Sequence, residues 1–384
     1  MSKPLIIGVD IRDLRVAKTG TKTYLEELCK EFKAISSPDV KFFFINSTLP
    51  AYSGTNKLLK WLEHINYQVW KQVSLPIKAW FGKCDIVFCT DNFAPLVKLG
   101  YKTIPVFHDA FFFEMPDNYG KLWLWLYKKT ALPAATSSPF VITPTLYAKK
   151  QIAHYTTIPV EKLKVVYEGP KSFSALSINS SSSKKTLQKF SLEQAKYLFH
   201  AGAMFKRKNI PLLISAFDKV KNSGKYPALK LVLAGQLPTD KNDSDFLLVT
   251  NAIKQSPYQS QIILTGYVSD DELGQLYQNA LLYVFPSVNE GFGIPVLEAF
   301  KKQLPVLVAD NTSLPEVGGD AVILFDPFDS ADLAVKIEKL LDNAGLRQEM
   351  ITKGQERLEH FSWYKAAEEL IKIFKTAAKK TKSY

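Results

Sequence analysis

Two glutamates eight positions apart, Glu290 and Glu298, bracket a run that begins Gly291-Phe292-Gly293-Ile294-Pro295. Carboxylates accept hydrogen bonds from hydroxyls. Glycines leave backbone N–H groups open, and Pro295 suits the first turn of a helix whose positive end would face the loop. This combination fits a ligand that is part phosphate and part polyol, as a sugar nucleotide is. Arg207 and Lys208 follow an apolar run and Gly202, and beside the Gly291–Gly293 loop they would neutralise a diphosphate. Cleaving a bond to that group leaves charge on it, so fixed cations there lower the barrier. His108, with Asp109 next to it, follows the apolar run Thr103 to Phe107. An imidazole at a strand end can hydrogen-bond a sugar hydroxyl or assist an acceptor. Each feature also has a plainer reading: a solvated cation pair, a helix-start carboxylate, a tight turn, a structural histidine. Their convergence favours chemistry. His64, His154, His200 and His360 lack such a setting and read as structural.

Residues of this kind must be delivered from strand ends. In the first half, Leu5 to Asp10, Lys41 to Ile45, Ile86 to Cys89, Thr103 to Phe107 and Phe140 to Thr143 read as short strands. In the second, Tyr197 to His200, Leu229 to Leu233, Gln261 to Leu264, Leu281 to Phe285 and Pro305 to Val308 do the same. Amphipathic stretches such as Tyr24 to Phe32 and Trp363 to Lys375 separate or follow them, which is the pattern of two doubly wound α/β domains. The serine-rich run Phe173 to Lys185 reads as a flexible connector or surface loop. The expected division is therefore 1–170, a linker at 171–190, 191–360, and a terminal helix at 361–384.

At 384 residues the chain exceeds one ordinary core. It has no apolar run near the ~18 residues of a membrane span and no signal-peptide pattern at its start. Three scattered cysteines, Cys29, Cys84 and Cys89, form no metal-ligand spacing, so a reduced, cytoplasmic setting is expected. The net charge of +12 is uneven: residues 1–190 carry 26 Lys and Arg against 14 Asp and Glu, and residues 191–384 carry 23 against 23. An anionic partner on the N-terminal side follows from that asymmetry. Aromatic stretches in the same half, from Trp61 to Trp80, Phe111 to Phe113 and Trp123 to Tyr127, suit either a peripheral contact with an anionic membrane or lipid-linked acceptor, or a core or sugar groove. Nucleic acid is not expected, because the lysines are diffuse and no binding motif accompanies them.

Rival motifs fail on spacing. Gly20-Thr-Lys22-Thr23 lacks the earlier glycine of a P-loop, since position 15 is Arg15. Gly291-Phe-Gly293 lacks the third glycine of a dinucleotide fingerprint. Asp243-Ser-Asp245 imitates a metal-binding Asp-x-Asp but lies in a polar stretch and reads as a solvated loop, so no metal is expected.

The ordered set resembles glycosyltransferase family 4. Its Glu-x7-Glu signature corresponds to Glu290 and Glu298. Further matches are Ile7-Gly-Val-Asp10 with Gly20, Val106-Phe-His108-Asp109, Ile142-Thr-Pro-Thr145 and Lys164-Val-Val-Tyr-Glu-Gly-Pro170. Gly202-Ala-Met-Phe-Lys-Arg207-Lys208-Asn209, Thr265-Gly-Tyr-Val268 and Asn311 to Asp320 complete the series. The pairing of His-Asp with Arg-Lys-Asn is most similar to the mannosyltransferase-like branch. The resemblance implies a GT-B fold: two Rossmann-like domains facing a central cleft, with the C-terminal helix crossing back to the N-terminal domain. It implies a retaining, metal-independent transfer of a mannose- or glucose-type hexose from a UDP- or GDP-linked donor to an acceptor hydroxyl, in polysaccharide or glycolipid synthesis, in the cytoplasm or at the inner face of the membrane. No cofactor beyond the donor is implied.

Residue by residue, the resemblance gives His108, Asp109 and Glu290 to catalysis. It gives Arg207, Lys208, Gly20, Gly291, Phe292, Gly293 and Ile294 to the diphosphate side of the donor, Glu298 to the ribose, and Tyr267 and Val268 to the base. Gly20-Thr-Lys-Thr-Tyr24 departs from the Gly-Ile-Gly-Arg run of many relatives, which leaves the role of that loop open. A sugar-nucleotide epimerase of the same architecture and a non-catalytic sugar-nucleotide-binding partner are the alternatives.

Overall fold

The computed structural model describes all residues except 1–2, 18–19, 36–37, 49–51, 53, 55, 174–179, 194, 239–242 and 380–384. The chain forms two compact units, Met1–Gly169 together with Ser362–Tyr384, and Pro170–Phe361.

The first unit is built on parallel strands β1 (Leu5–Asp10), β2 (Val40–Ile45), β3 (Ile86–Cys89) and β4 (Lys102–Pro105), in the order β2-β1-β3-β4. A bridge between Val106 and Ile142 extends this sheet to β5 (Val141–Thr143), which pairs with β6 (Leu163–Val165). Every residue of β3 is buried, as expected of a parallel strand covered on both faces. The helix Gly20–Ala34 turns Tyr24, Leu25, Leu28 and Phe32 inward. The C-terminal helix Trp363–Lys379 belongs to this unit and buries Trp363, Ala366, Ala367, Leu370, Phe374 and Ala377. Phe374 lies 5.2 Å from Phe88 and 6.4 Å from Phe32, centroid to centroid. Gly169 allows the close approach of Trp363, whose backbone N would sit 2.7 Å from a Cβ added there.

The aromatic stretches of this unit divide. Trp70 and Tyr127 are core residues, whereas Trp61, Trp80, Phe81 and Trp125 are exposed. Helix Lys57–Val69 continues through a π turn at Trp70–Ser74 into Leu75–Phe81. A second π turn, Tyr127–Ala131, likewise precedes a proline, Pro133. Proline has no N–H to close a regular turn, and the wider π turn accommodates that loss. Leu58, Leu62, Ile65, Val69, Val73, Ile77 and Trp80 recur every three or four residues and leave an apolar face exposed. Among the described residues no helix is long and apolar enough to cross a membrane.

In the second unit, β7 (Tyr197–Ala201), β8 (Lys230–Ala234), β9 (Ile262–Gly266), β10 (Leu282–Phe285), β11 (Val306–Ala309) and β12 (Val322–Phe325) lie in the order β12-β11-β10-β7-β8-β9, all parallel. The chain thus builds outward from β7 to one side and then restarts at β10 on the other. That reversal opens a crevice beyond the carboxyl ends of β7 and β10.

Two expectations need correction. Ser180–Lys189 is a helix of the second unit, not a flexible connector; residues 174–179 lie outside the described residues. Tertiary contacts overcome the weak helix propensity of serine. Thr186 is buried, Asn279 donates to Ser183 (3.1 Å), and Lys189 pairs with Glu272 (2.6 Å). Asp243-Ser-Asp245, expected as a solvated loop, is instead an exposed helix start. Asp243 caps the helix Ser244–Gln255 by accepting from the Asp245 and Phe246 N–H groups, while Asp245 accepts from the Lys206 N–H. Strands β6 and β12 escaped the sequence reading: β6 is three residues interrupted by Lys164, whereas β12 is an apolar run as long as β3 and was overlooked.

The ends of β7 and β8 meet backbone to backbone: a Cβ on Gly235 would lie 1.8 Å from the Gly202 carbonyl oxygen. Gly235→Ala should therefore cost about 3 kcal/mol or more in urea unfolding, while Gly120→Ala, with nothing within 4 Å of its added carbon, should stay within about 0.5 kcal/mol of the parent. Equal stability of the two variants would disprove the close approach.

Candidate active site

The second unit gathers the expected donor residues at its crevice. After β7, Lys206–Lys208 form a 3-10 turn that ends at Asn209, in the left-handed region at φ 54°. Asparagine tolerates that conformation, and its amide fixes it by donating to the Pro327 carbonyl (2.8 Å). The turn is tied to the loop after β10, where the Val288 N–H donates to the Arg207 carbonyl (2.8 Å). Lys208 Nζ and Arg207 Nη1 then both reach Glu290 Oε1, at 2.5 and 2.9 Å. Burial would raise the Glu290 carboxyl, but Lys208 and Arg207 outweigh it and hold the group down to about 2. Burial, against the pull of Glu290, leaves the Lys208 ammonium below its ordinary value. Two cations on one carboxylate leave a net positive site.

The glycine loop is braced from behind. Ser313 Oγ lies 2.9 and 2.7 Å from the carbonyls of Glu290 and Phe292, and the Asn311 amide donates to the Val288 carbonyl (3.1 Å). Gly293, at φ 124°, precedes the helix Ile294–Lys301, with Pro295 at its second position as the sequence implied. A side chain at 293 would be strained and would press on Leu314 at 3.1 Å.

Glu298 sits one turn into that helix, buried, with Oε2 accepting from the Tyr277 hydroxyl (2.9 Å). Burial raises its carboxyl from the ordinary 4.5 to about 6. Glu290 and Glu298 thus share a motif but not an environment: cations hold one carboxyl down, and burial raises the other. Tyr267 and Val268 follow β9, with Tyr267 exposed and Val268 buried. Tyr277 escaped the sequence reading because a tyrosine within a helical stretch resembles core.

His200, read as structural, is fully buried on β7 beside this cluster. Its Nδ1 lies 3.0 Å from the Val284 carbonyl, so that nitrogen carries the proton. Burial lowers the imidazole to about 4 and keeps it neutral. Among the described residues its Nε2 has no hydrogen-bond partner.

In the first unit, His108 follows β4 as expected. Its Nε2 donates to the Thr90 carbonyl (3.0 Å), and Nδ1 stands 3.6 Å from Glu168 Oε1. Burial would lower this imidazole, but Glu168 outweighs it and the net shift is upward. Tyr24 packs edge-on at 4.8 Å. Glu168, on the segment after β6, is thus the carboxylate beside His108; the sequence held it within the Lys164 to Pro170 match without singling it out. Asp109, proposed beside His108 for catalysis, accepts from the Phe111 N–H (3.0 Å) and so caps a local turn. Gly20 is the first residue of its helix rather than a residue within the preceding loop, and residues 18–19 lie outside the described residues.

Residues 182–357, within the second unit, match the family of glycosyl transferases, group 1. The chain is 27% identical over 276 residues to O-antigen chain mannosyltransferase B of Escherichia coli, covering 71% of this chain and 70% of that protein. It is 30% identical over 230 residues to the serotype-specific mannosyltransferase WbdA of Escherichia coli, covering 59% of this chain and only 27% of WbdA. HepE of Anabaena, solved in complex with UDP and glucose, superposes with a TM-score of 0.71 at 14% identity, over 97% of this chain and all of that one. With parallel sheets in two Rossmann-like units, the chain has the GT-B fold of the glycosyltransferases it resembles.

Proposed function

We propose that this glycosyltransferase is a retaining member of family 4 that moves a mannose- or glucose-type hexose from a UDP- or GDP-linked donor to an acceptor hydroxyl, in polysaccharide or glycolipid assembly. The observation that carries the reading is the pair Arg207 and Lys208 converging on Glu290 beside the Gly291–Ile294 loop, at the reversal point of a parallel sheet. In this reading the two cations and the backbone N–H groups of Gly291 to Ile294 hold the diphosphate. Glu290 turns to hydroxyls of the transferred sugar, and Glu298 takes those of the ribose. Tyr267 and Val268 border the base. The bond from the sugar's anomeric carbon to the diphosphate breaks, the bond to the acceptor oxygen forms on the same face, and the acceptor's proton passes to a diphosphate oxygen. Arg207 and Lys208 supply the charge stabilisation that a metal would otherwise provide. His108, oriented by Glu168 and joined by Asp109 and Gly20, serves the acceptor side. The mannose preference rests on the names of the two relatives.

The proposal extends to a peripheral contact with an anionic membrane at the inner face. The exposed apolar face that includes Trp61, Ile65, Val73, Ile77, Trp80 and Phe81, with exposed Lys60 on the same helical run and exposed Lys83 in the turn after it, supports it.

Lys208→Ala should abolish the rise in Tm caused by UDP or GDP and lower transfer by roughly 100-fold or more; wild-type turnover in that variant would defeat the proposal. Glu298→Gln carries a pH signature. A carboxyl raised from 4.5 to about 6 stabilises the fold fully below 4.5 and loses that contribution as pH rises through 6. The nucleotide-free variant should therefore match the parent near pH 4.5 and exceed it by about 2 kcal/mol at pH 8, while binding nucleotide more weakly. Flotation with phosphatidylcholine vesicles containing phosphatidylglycerol should recover the parent protein and lose the Trp61→Glu/Trp80→Glu variant. Equal recovery of both would remove the membrane contact.

A further inference from the structure

His200 belongs to none of the roles assigned above, yet it sits where the cations of the second unit gather. Its ring stacks against Tyr283 and Phe285 of β10, with centroids 6.4 and 5.9 Å apart. Lys208 Nζ stands over the same Phe285 ring, 4.8 Å from its centroid. A carbon added to Gly202 would lie 3.4 Å from His200 Nε2 and 3.6 Å from Lys208 Cε. The imidazole edge and the lysine stem therefore border one small space.

The tautomer is fixed by the strand. With Nδ1 donating to the Val284 carbonyl (3.0 Å), Nε2 carries a lone pair and no proton. Burial, with the Lys208 ammonium adding to it, lowers the imidazole to about 4, so Nε2 remains an acceptor at neutral pH. A buried acceptor without a donor is destabilising, and a phenylalanine would fill the same place without that penalty. The neighbour best able to donate is Lys208, whose ammonium has three N–H groups. At present Glu290 Oε1 takes one of them at 2.5 Å and is shared with Arg207 at 2.9 Å. In the donor reading Glu290 turns to hydroxyls of the transferred sugar. Lys208 is buried, so it would then lose its carboxylate where water does not replace it. The diphosphate offers one new acceptor, and His200 Nε2 offers another that is already in place.

We propose that His200 is a positioning residue of the donor site: its Nε2 accepts from the Lys208 ammonium once a bound sugar draws Glu290 away. The inference rests on the transferase reading, in which Glu290 contacts that sugar. It makes His200 matter for the complete donor and not for the nucleotide alone, which leaves Glu290 with its two cations.

The competing role for this histidine is to tie β7 to β10 through Nδ1. Two substitutions separate the roles. Asparagine keeps a donor at the Nδ1 position and has no atom at Nε2, whereas glutamine sets its amide oxygen at Nε2 and gives up the Nδ1 donor. Calorimetric titration of the full chain with UDP, GDP, UDP-glucose and GDP-mannose reads the difference. His200→Asn should weaken the sugar nucleotide that binds the parent about tenfold and leave the matching nucleoside diphosphate within about twofold. His200→Gln should stay within about threefold of the parent for both. His200→Phe, which fills the volume, should repeat the asparagine result and guards against a cavity that prevents folding. Parent-like affinity of the asparagine and phenylalanine variants for the sugar nucleotide, equal weakening of nucleotide and sugar nucleotide, or a larger loss with glutamine than with asparagine would overturn the proposal while leaving the transferase reading intact. If neither nucleotides nor sugar nucleotides bind the parent, the transferase reading fails and the role of His200 fails with it.

Discussion

The second unit depends on one arrangement, the sharing of Glu290 by Lys208 and Arg207. Buried charges are costly unless each finds partners of good geometry, and removing one partner leaves the others stranded. Lys208 is 7% exposed and Glu290 8%, so neither is rescued by water. The surrounding details serve this cluster. Adjacent strands β7 and β10 bring residues 82 positions apart into contact, Asn209 turns the chain after Lys208, and Ser313 pins the carbonyls on either side of Gly291. Gly293 can take a φ of 124° only because it lacks a side chain. The two cations are thus held at the crevice by Glu290 before any ligand arrives.

Each unit separately places its polar groups where its strand order reverses. In the second unit the point lies between β7 and β10, and the groups there are cationic. In the first it lies between β1 and β3, and they are acidic. The same topological device therefore gathers polar groups of opposite sign in the two units. Side chains at the strand ends, and not the sheet, decide which.

Most of the sheet was legible in the sequence because parallel strands buried on both faces appear as unbroken apolar runs, as in Ile86 to Cys89 and Leu281 to Phe285. Arg207, Lys208 and Glu290 were legible too, since each follows such a run closely and the motif order supplied the partner. Three kinds of feature were not. The helix Ser180–Lys189 depends on tertiary contacts that no local propensity reveals. The Glu168 partner of His108 comes from a segment sixty positions away, after a strand of only three residues. Local environment was the third: nothing in the spacing of Glu290 and Glu298 shows that cations push one down to about 2 and burial pushes the other up to about 6.

The charge balance shows most clearly why summing over sequence misleads. Residues 1–190 carry twelve more basic than acidic side chains, which suggests an anionic partner for the whole half. Exposed lysines are screened beyond about 8 Å at physiological salt, so their number sets long-range attraction and solubility. Buried charges respond instead to the few charges within contact range, where water does not screen them. Around the β1–β3 end those are Asp10, Asp13, Glu63 and Asp91, with Lys71 and Arg12 already engaged. A basic exterior and an acidic interior are therefore compatible within one unit.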